Sequence, residues 1–242
     1  MLRIGTASWS LPKGICDVPA SASRLERYAS LFDCVEINSS FYRPHRRSTY
    51  ERWAASTPAD FLFSVKVPKR ISHEQRLMEC GDALEAFGDE IEGLGQKLGI
   101  VLLQLPPSLA FAPAQEEFLA VFRRRFSVPL VCEPRHRSWF AAEASRLLDA
   151  YSISRAAADP AIVPAAAKPH AAGGVAYIRL HGSPRTYWSA YQEDALGDWL
   201  RVGIDHQNGN DVWIVFDNTA AGAAWTDARQ MRLLLERHQN AS

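Results

Sequence analysis

The chain has 242 residues, 47% of them hydrophobic, and its 27 lysines and arginines are matched by 27 aspartates and glutamates. A formal charge of zero excludes a general attraction for polyanions, so a nucleic-acid site would have to come from a local patch. Four scattered cysteines (Cys16, Cys34, Cys80 and Cys132) show no C-x-x-C spacing, which argues against a zinc site or disulfide framework and for a reducing, cytoplasmic setting.

The opening MLRIGTASWS carries neither a basic segment nor a long apolar run, so no signal peptide is expected. No stretch reaches the ~18 consecutive apolar residues of a membrane span, so no membrane partner is expected. Along the chain, LRIGT and CVEIN read as the first two strands. STYE then places Ser48 and Glu51 in a capping-box pattern ahead of Trp53. FLFSVK and GIVLLQ follow as strands three and four, and Arg123, Arg124 and Arg125 fall late in a helix, where cations suit the dipole and decorate the surface. PLVCE is strand five. SWFAAEASRLLDAY predicts a helix with Ser138 as N-cap and Ala141, Ala144, Leu147, Leu148 and Tyr151 on one face. ISRAAAD reads as strand six, after which three prolines and a glycine pair in PAIVPAAAKPHAAGG predict an irregular connection. VAYIRLHG and DVWIVFDN complete eight strands, and TDARQMRLLLERH puts Ala228, Met231, Leu234 and Leu235 on one helical face. Short β-rich runs alternating with amphipathic stretches predict parallel β/α units, and the length suits one barrel of ~250 residues. The expected architecture is therefore α/β, a single (β/α)8 TIM-type barrel over residues 1–242 with an irregular β6–β7 connection.

Each predicted strand begins apolar and ends polar. Strand residues alternate faces, so Glu36 and Asn38, Glu133 and Arg135, and Arg179 and His181 are pairs sharing one face. In a barrel all the C-terminal strand ends meet on one rim, where active sites lie. That places EPRHRSWF, residues 133–140, at the rim of strand five. The residues expected to do chemistry are Glu36, Lys66, Glu133, His181 and Asp217. Those expected to hold substrate are Thr6, Trp9, Asn38, Tyr42, Gln104, Arg135, His136, Asp159, Arg179, Tyr191 and Asn218. The bland reading of any one of them is a polar strand cap or an ion pair that only neutralises its neighbour.

Glu36, Glu133, His136, His181 and Asp217 could ligate a divalent ion, but Lys66, Arg135 and Arg179 would share the mouth and repel it. No H-x-x-x-H or H-E-x-x-H spacing occurs, and no metal or cofactor is expected. Guanidinium groups instead suit phosphate or carboxylate, and Arg43, Arg46 and Arg47 would widen a positive zone if their loop covers the mouth. Carboxylates beside cations stay ionised and accept protons, while His181 or His136 exchanges one near neutral pH. Lys66 could serve as a Schiff-base amine only in a desolvated pocket, a condition sequence does not establish. No G-x-S-x-G, P-loop or G-x-G-x-x-G occurs. The expected ligand is a small polar, anionic molecule. The alternatives are a nucleic-acid binder or phosphodiester-cleaving enzyme, and a ligand-binding protein without turnover.

In order, IGTASW, FDCVEINSSFYR, W-x-x-x-TP-x-x-F-x-FSVKVP, LG-x-x-LLQLPPSLAF, EPRHRSWF, YIRLHG and FDNTAAGAA together resemble the YecE-like proteins, domain-of-unknown-function family 72. The resemblance covers essentially the whole chain and implies a TIM-type barrel without an assigned activity. A more distant similarity, to barrels of the endonuclease IV and xylose isomerase kind, is analogy of fold alone. The chain departs from the family pattern at Gly5-Thr6-Ala7-Ser8-Trp9, in the short first loop SLPKGICDV, at Ile71-Ser72-His73, and in the last loop, where Asn218-Thr219 and Ala223 replace an Asn-Asp pair and a histidine.

Overall fold

The computed structural model describes residues 1–10 and 22–241; most of the first loop, with Cys16, lies outside the described residues. The strands are β1 (Leu2–Thr6), β2 (Cys34–Ile37), β3 (Leu62–Lys66), β4 (Leu98–Gln104), β5 (Leu130–Glu133), β6 (Ile153–Arg155), β7 (Ala157–Asp159), β8 (Val175–Leu180) and β9 (Asp211–Phe216). All pair in parallel, in two sheets ordered β1-β9-β8-β7 and β2-β3-β4-β5-β6. Eight strands in one closed ladder were expected; the hydrogen-bonded ladder instead has two interruptions.

Each interruption has a local cause. The predicted sixth strand divides at Ala156: Arg155 still pairs with Cys132 of β5, whereas Ala157 pairs with Ile178 of β8. One extended segment thus serves both sheets in turn. Between β1 and β2 the backbones come close, since a Cβ on Gly5 would sit 2.3 Å from the Cys34 carbonyl oxygen. No ladder bond joins them. The buried Tyr28 hydroxyl stands between, accepting from the Thr6 N–H at 2.8 Å and donating to the Cys34 carbonyl at 3.0 Å. A side chain thereby satisfies two backbone groups that burial would otherwise leave unpaired.

The helices are α1 (Arg24–Ala29), α2 (Arg47–Ala55), α3 (Gly81–Ile91), α4 (Gln115–Arg125), α5 (Ala142–Ala150), α6 (Glu193–Asp205) and α7 (Ala223–Ala241). The capping box is at α1, where Ser23 and Glu26 satisfy each other's backbone N–H groups at 3.2 and 2.6 Å. The expected Ser48–Glu51 box does not form, because α2 starts at Arg47 and Glu51 accepts from Arg47 Nε at 3.3 Å. Arg47 also reaches Glu92, so it is spent on acids rather than widening a positive mouth. Arg125 is likewise more than decoration: it ties α4 to Glu85, Asp89 and Glu92. Ser138 lies in a 3-10 turn, Arg137–Phe140, and α5 begins only at Ala142. The β7–β8 connection holds a 3-10 turn, Pro164–Ala167, and an isolated antiparallel bridge from His170 to Arg155, with no α-helix, as the prolines suggested.

The inward face of the strands is layered by period-two alternation. Cys34, Leu102, Val131, Tyr177, Trp213 and Val215, drawn from both sheets, pack into one apolar cluster. Two positions further along the same strands stand Glu36, Gln104, Glu133, Arg179 and Asp217, all buried. An apolar floor therefore carries a polar layer at the C-terminal strand ends.

Candidate functional site

Arg179 of β8 is fully buried at the centre of this layer. Its Nε donates to Glu36 Oε2 at 2.9 Å and its Nη2 to Glu36 Oε1 at 2.7 Å, a bidentate pair reaching from one sheet to the other. Nη1 donates to Glu133 Oε2 at 2.5 Å and Nη2 to Asp217 Oδ2 at 2.9 Å. Three carboxylates from β2, β5 and the end of β9 thus surround one guanidinium. Arg135 donates through Nη2 to Glu133 and to His181 Nε2, while its buried Nε has no acceptor. Gln104 Nε2 donates to Glu133 Oε1 at 3.0 Å, and Asn38 Nδ2 donates to Asp217 Oδ1 at 3.4 Å. His181 is buried between two acids. Its Nε2 is 3.2 Å from Glu133 Oε1, and its Nδ1 is 3.1 Å from Asp217 Oδ2, though off the line of a good hydrogen bond.

The charges set one another's protonation. Burial pushes the Glu133 carboxyl up, but Arg135, Arg179 and His181 outweigh it and hold it well below the usual carboxylate range. For Asp217 burial again raises the pKa, and Arg179 and His181 reverse it to a net lowering. Lys66, 5% exposed at the end of β3, is the opposite case: burial and then Arg179 pull its ammonium down to about 8, against the partial support of Glu36, Asp217 and Glu133. Its Nζ sits 4.1 Å from the centre of the Phe41 ring and has no carboxylate within 4 Å among the described residues.

A pocket of about 290 Å³ lies at this layer, lined by His73, Gln104, Leu105, Pro107, Arg135, Ile162 and Tyr187. It contains an arginine and a histidine and no acid. Gln104 and Arg135, which both hold Glu133, connect it to the ion cluster.

Glu36, Asn38, Gln104, Glu133, Arg135, Arg179, His181 and Asp217 therefore meet directly, with Lys66 beside them. The other expected residues stand apart. Thr6 serves the Tyr28 seam. Trp9 packs edge-on against Trp53 at 5.0 Å. Tyr42 is 76% exposed on a neighbouring cleft of about 420 Å³. His136 accepts from the Ser138 N–H and so caps the 3-10 turn. Asp159 accepts from the Tyr191 hydroxyl at 2.7 Å beside a different pocket. Asn218 donates to Ser189 O and Asp227 Oδ2, bracing the last loop. The departing residue Thr219 borders a small cavity of about 30 Å³.

Sequence reasoning missed Tyr177, whose hydroxyl lies 3.0 Å from both Glu36 Oε2 and Ser64 Oγ. The signal was present: Tyr177, Arg179 and His181 alternate onto one face. It also left out His73, which lines the pocket and packs edge-on against Phe41 at 4.9 Å; the signal was the family block Ile71-Ser72-His73, which stands in a short π-helical turn, Arg70–Glu74, rather than at a strand end.

The family model described as "Protein of unknown function DUF72" matches residues 3–242. The chain belongs to the DUF72 family. Within DUF72, it is 34% identical over 143 residues to the UPF0759 protein YecE of Escherichia coli K12, a match spanning 58% of this chain and 51% of that protein. It is 25% identical over 268 residues to the UPF0759 protein YunF of Bacillus subtilis, covering 98% and 95%. A DUF72 crystal structure from Thermotoga maritima superposes with a TM-score of 0.81 at 25% identity, covering 98% of this chain and 99% of that one. One from Enterococcus faecalis gives 0.81 at 23% identity, covering 98% of each. No specific activity or substrate is established for this DUF72 chain by these likenesses.

Proposed function

We propose that this protein is an enzyme that binds a small anionic substrate at the C-terminal mouth of a closed TIM-type barrel and moves protons on it. The observation that carries this reading is the composition of the mouth: the pocket is lined by Arg135 and His73 without an acid, directly above carboxylates that are already neutralised. Arg135 keeps an unspent buried Nε–H for an acceptor, and a guanidinium suits phosphate or carboxylate. His181 lies between Glu133 and Asp217, with its ring nitrogens 3.2 and 3.1 Å from their oxygens, so it is placed to pass a proton within this layer while both carboxylates stay ionised. Arg179 acts as an internal counter-charge rather than a substrate clamp, its donors being spent on Glu36, Glu133 and Asp217. Closure of the two sheets is supported by the shared apolar floor, by the Tyr28 bridge and by Arg179 spanning from one sheet to the other. A cytoplasmic setting belongs to the same reading, with Cys34, Cys80 and Cys132 free and buried.

The test is thermal denaturation against a panel of phosphate- and carboxylate-bearing metabolites. Occupancy at ~100-fold above Kd adds ~2.7 kcal/mol, or roughly 5–11 °C for a chain of this size. The shift should vanish in Arg135→Met. A panel without any shift, or one undiminished in that variant, overturns the reading. A second reading, nucleic-acid binding, draws on exposed Tyr42 beside Arg43 and Arg70 at the neighbouring cleft. It requires retention on DNA that falls steeply with salt.

A further inference from the structure

We propose that Lys66 is a nucleophilic amine that forms a Schiff base with a small aldehyde or ketone carrying a carboxylate or phosphate. This rests on the anion-binding mouth proposed above and names its substrate class.

The condition for such chemistry is an amine freed from ion pairing and from water. Lys66 meets it by position. It closes β3, and its main-chain carbonyl is fixed by the Ser40 hydroxyl at 2.7 Å, so the base of the side chain is held. The Phe41 ring covers Nζ at 4.1 Å, and His73, at the pocket wall, packs on that same ring. Three carboxylates lie in the same layer, yet Arg179 takes all three, and none comes within 4 Å of the Lys66 ammonium. The other described lysines contrast with it where they are held: Lys97 donates to Ala54 O and Thr57 O at 2.6 Å, and Lys69 pairs with Glu74 at 3.5 Å. Burial and the nearby Arg179 then leave a sizeable neutral fraction near neutral pH, with Glu36, Glu133 and Asp217 as the opposing charges and His73 as a titratable neighbour.

The step balances without a redox partner. The neutral amine attacks the carbonyl carbon, a C–N bond forms, and the C=O π pair moves to oxygen, which takes a proton. The carbinolamine then loses water as the nitrogen gives up a proton, leaving C=N. His181, between Glu133 and Asp217, is the proton carrier in that layer. The anionic group of the substrate falls to Arg135.

The experiment is borohydride trapping. Full-length protein is incubated at pH 7.5 with pyruvate or with pyridoxal phosphate, an anionic ketone and an anionic aldehyde, and reduced with borohydride; adducts are mapped by peptide mass spectrometry. The expected result is a reduced adduct on Lys66 at tenfold or more the yield on Lys69, Lys97 or Lys168, suppressed by inorganic phosphate. Labelling confined to the other lysines, or equal at all of them, overturns the proposal. Thermal shifts with phosphate and lactate, which carry no carbonyl, separate the two readings. Shifts without a Lys66 adduct sink the Schiff base and spare the anion site, while absence of both sinks the two together.

Discussion

Three carboxylates converge on one guanidinium at Arg179, and this arithmetic explains why so much charge survives burial. A buried ion pair tolerates replacement as a unit far better than loss of one partner. Arg179→Met removes the counter-charge of Glu36, Glu133 and Asp217 at once. It should cost ~3–5 kcal/mol, the usual penalty for an uncompensated buried charge, read as a fall in the urea midpoint. Lys66 predicts the reverse sign. Its folded pKa is depressed to about 8 from 10.5, so the folded state releases a proton that the unfolded chain holds, and stability from this group rises with pH between those values. At pH 7 the buried ammonium is a cost, and Lys66→Met should raise stability by ~1–3 kcal/mol while abolishing the borohydride adduct. Equilibrium urea unfolding of both variants checks the pair. At this scale the sequence was informative where alternation applied: Glu36, Glu133, Arg179, His181 and Asp217 were all assigned to one mouth, and they meet. For Trp9, His136 and Asn218, whose residue types suit binding and structural work equally, the neighbours supply structural contacts away from the mouth.

Among the elements, the seam between β1 and β2 is where pattern reading ends and packing begins. LRIGT and CVEIN are evident as strands, yet nothing in them announces that Tyr28, from α1, replaces a ladder bond with its hydroxyl. Tyr28→Phe leaves the Thr6 N–H and Cys34 carbonyl buried without that partner, and should cost ~1–3 kcal/mol by the price of unsatisfied buried groups. Amide hydrogen exchange at Thr6 should accelerate correspondingly; unchanged protection there would mean that another group serves the seam. Gly5→Ala places a methyl 2.3 Å from the Cys34 carbonyl oxygen, a backbone atom that cannot swing aside. A loss of ~1–3 kcal/mol is expected from such overpacking, measured by urea denaturation. The divided segment Ile153–Asp159 was read as one strand because no turn residue interrupts it; its change of partner at Ala156 is a property of where β5 and β8 stand.

For the molecule as a whole, acid is the revealing variable. Glu133 and Asp217 both titrate below their ordinary values in the fold. Their contribution is therefore fully present above the unfolded carboxylate range of ~4 and is lost as pH falls through the folded values. Since their partner Arg179 reaches across both sheets, that loss should loosen the two sheets together. Far-UV circular dichroism through an acid titration should show one cooperative transition below pH ~4, shifted to higher pH in Arg135→Gln, which removes the largest charge holding Glu133 down. Unfolding of one sheet ahead of the other would contradict the linkage.

The parallel α/β class, the position of nearly every strand, and the ionisable residues that end those strands were legible in the amino-acid order. These depend on period-two alternation and on local apolar runs, properties of neighbouring residues. That the ladder parts at Tyr28 and Ala156, that Arg179 is spent on three acids, and that Lys66 is left without one emerged from the packed fold. Those outcomes depend on distances between strands far apart in the chain, where burial strengthens each charge and a difference of an ångström selects its partner.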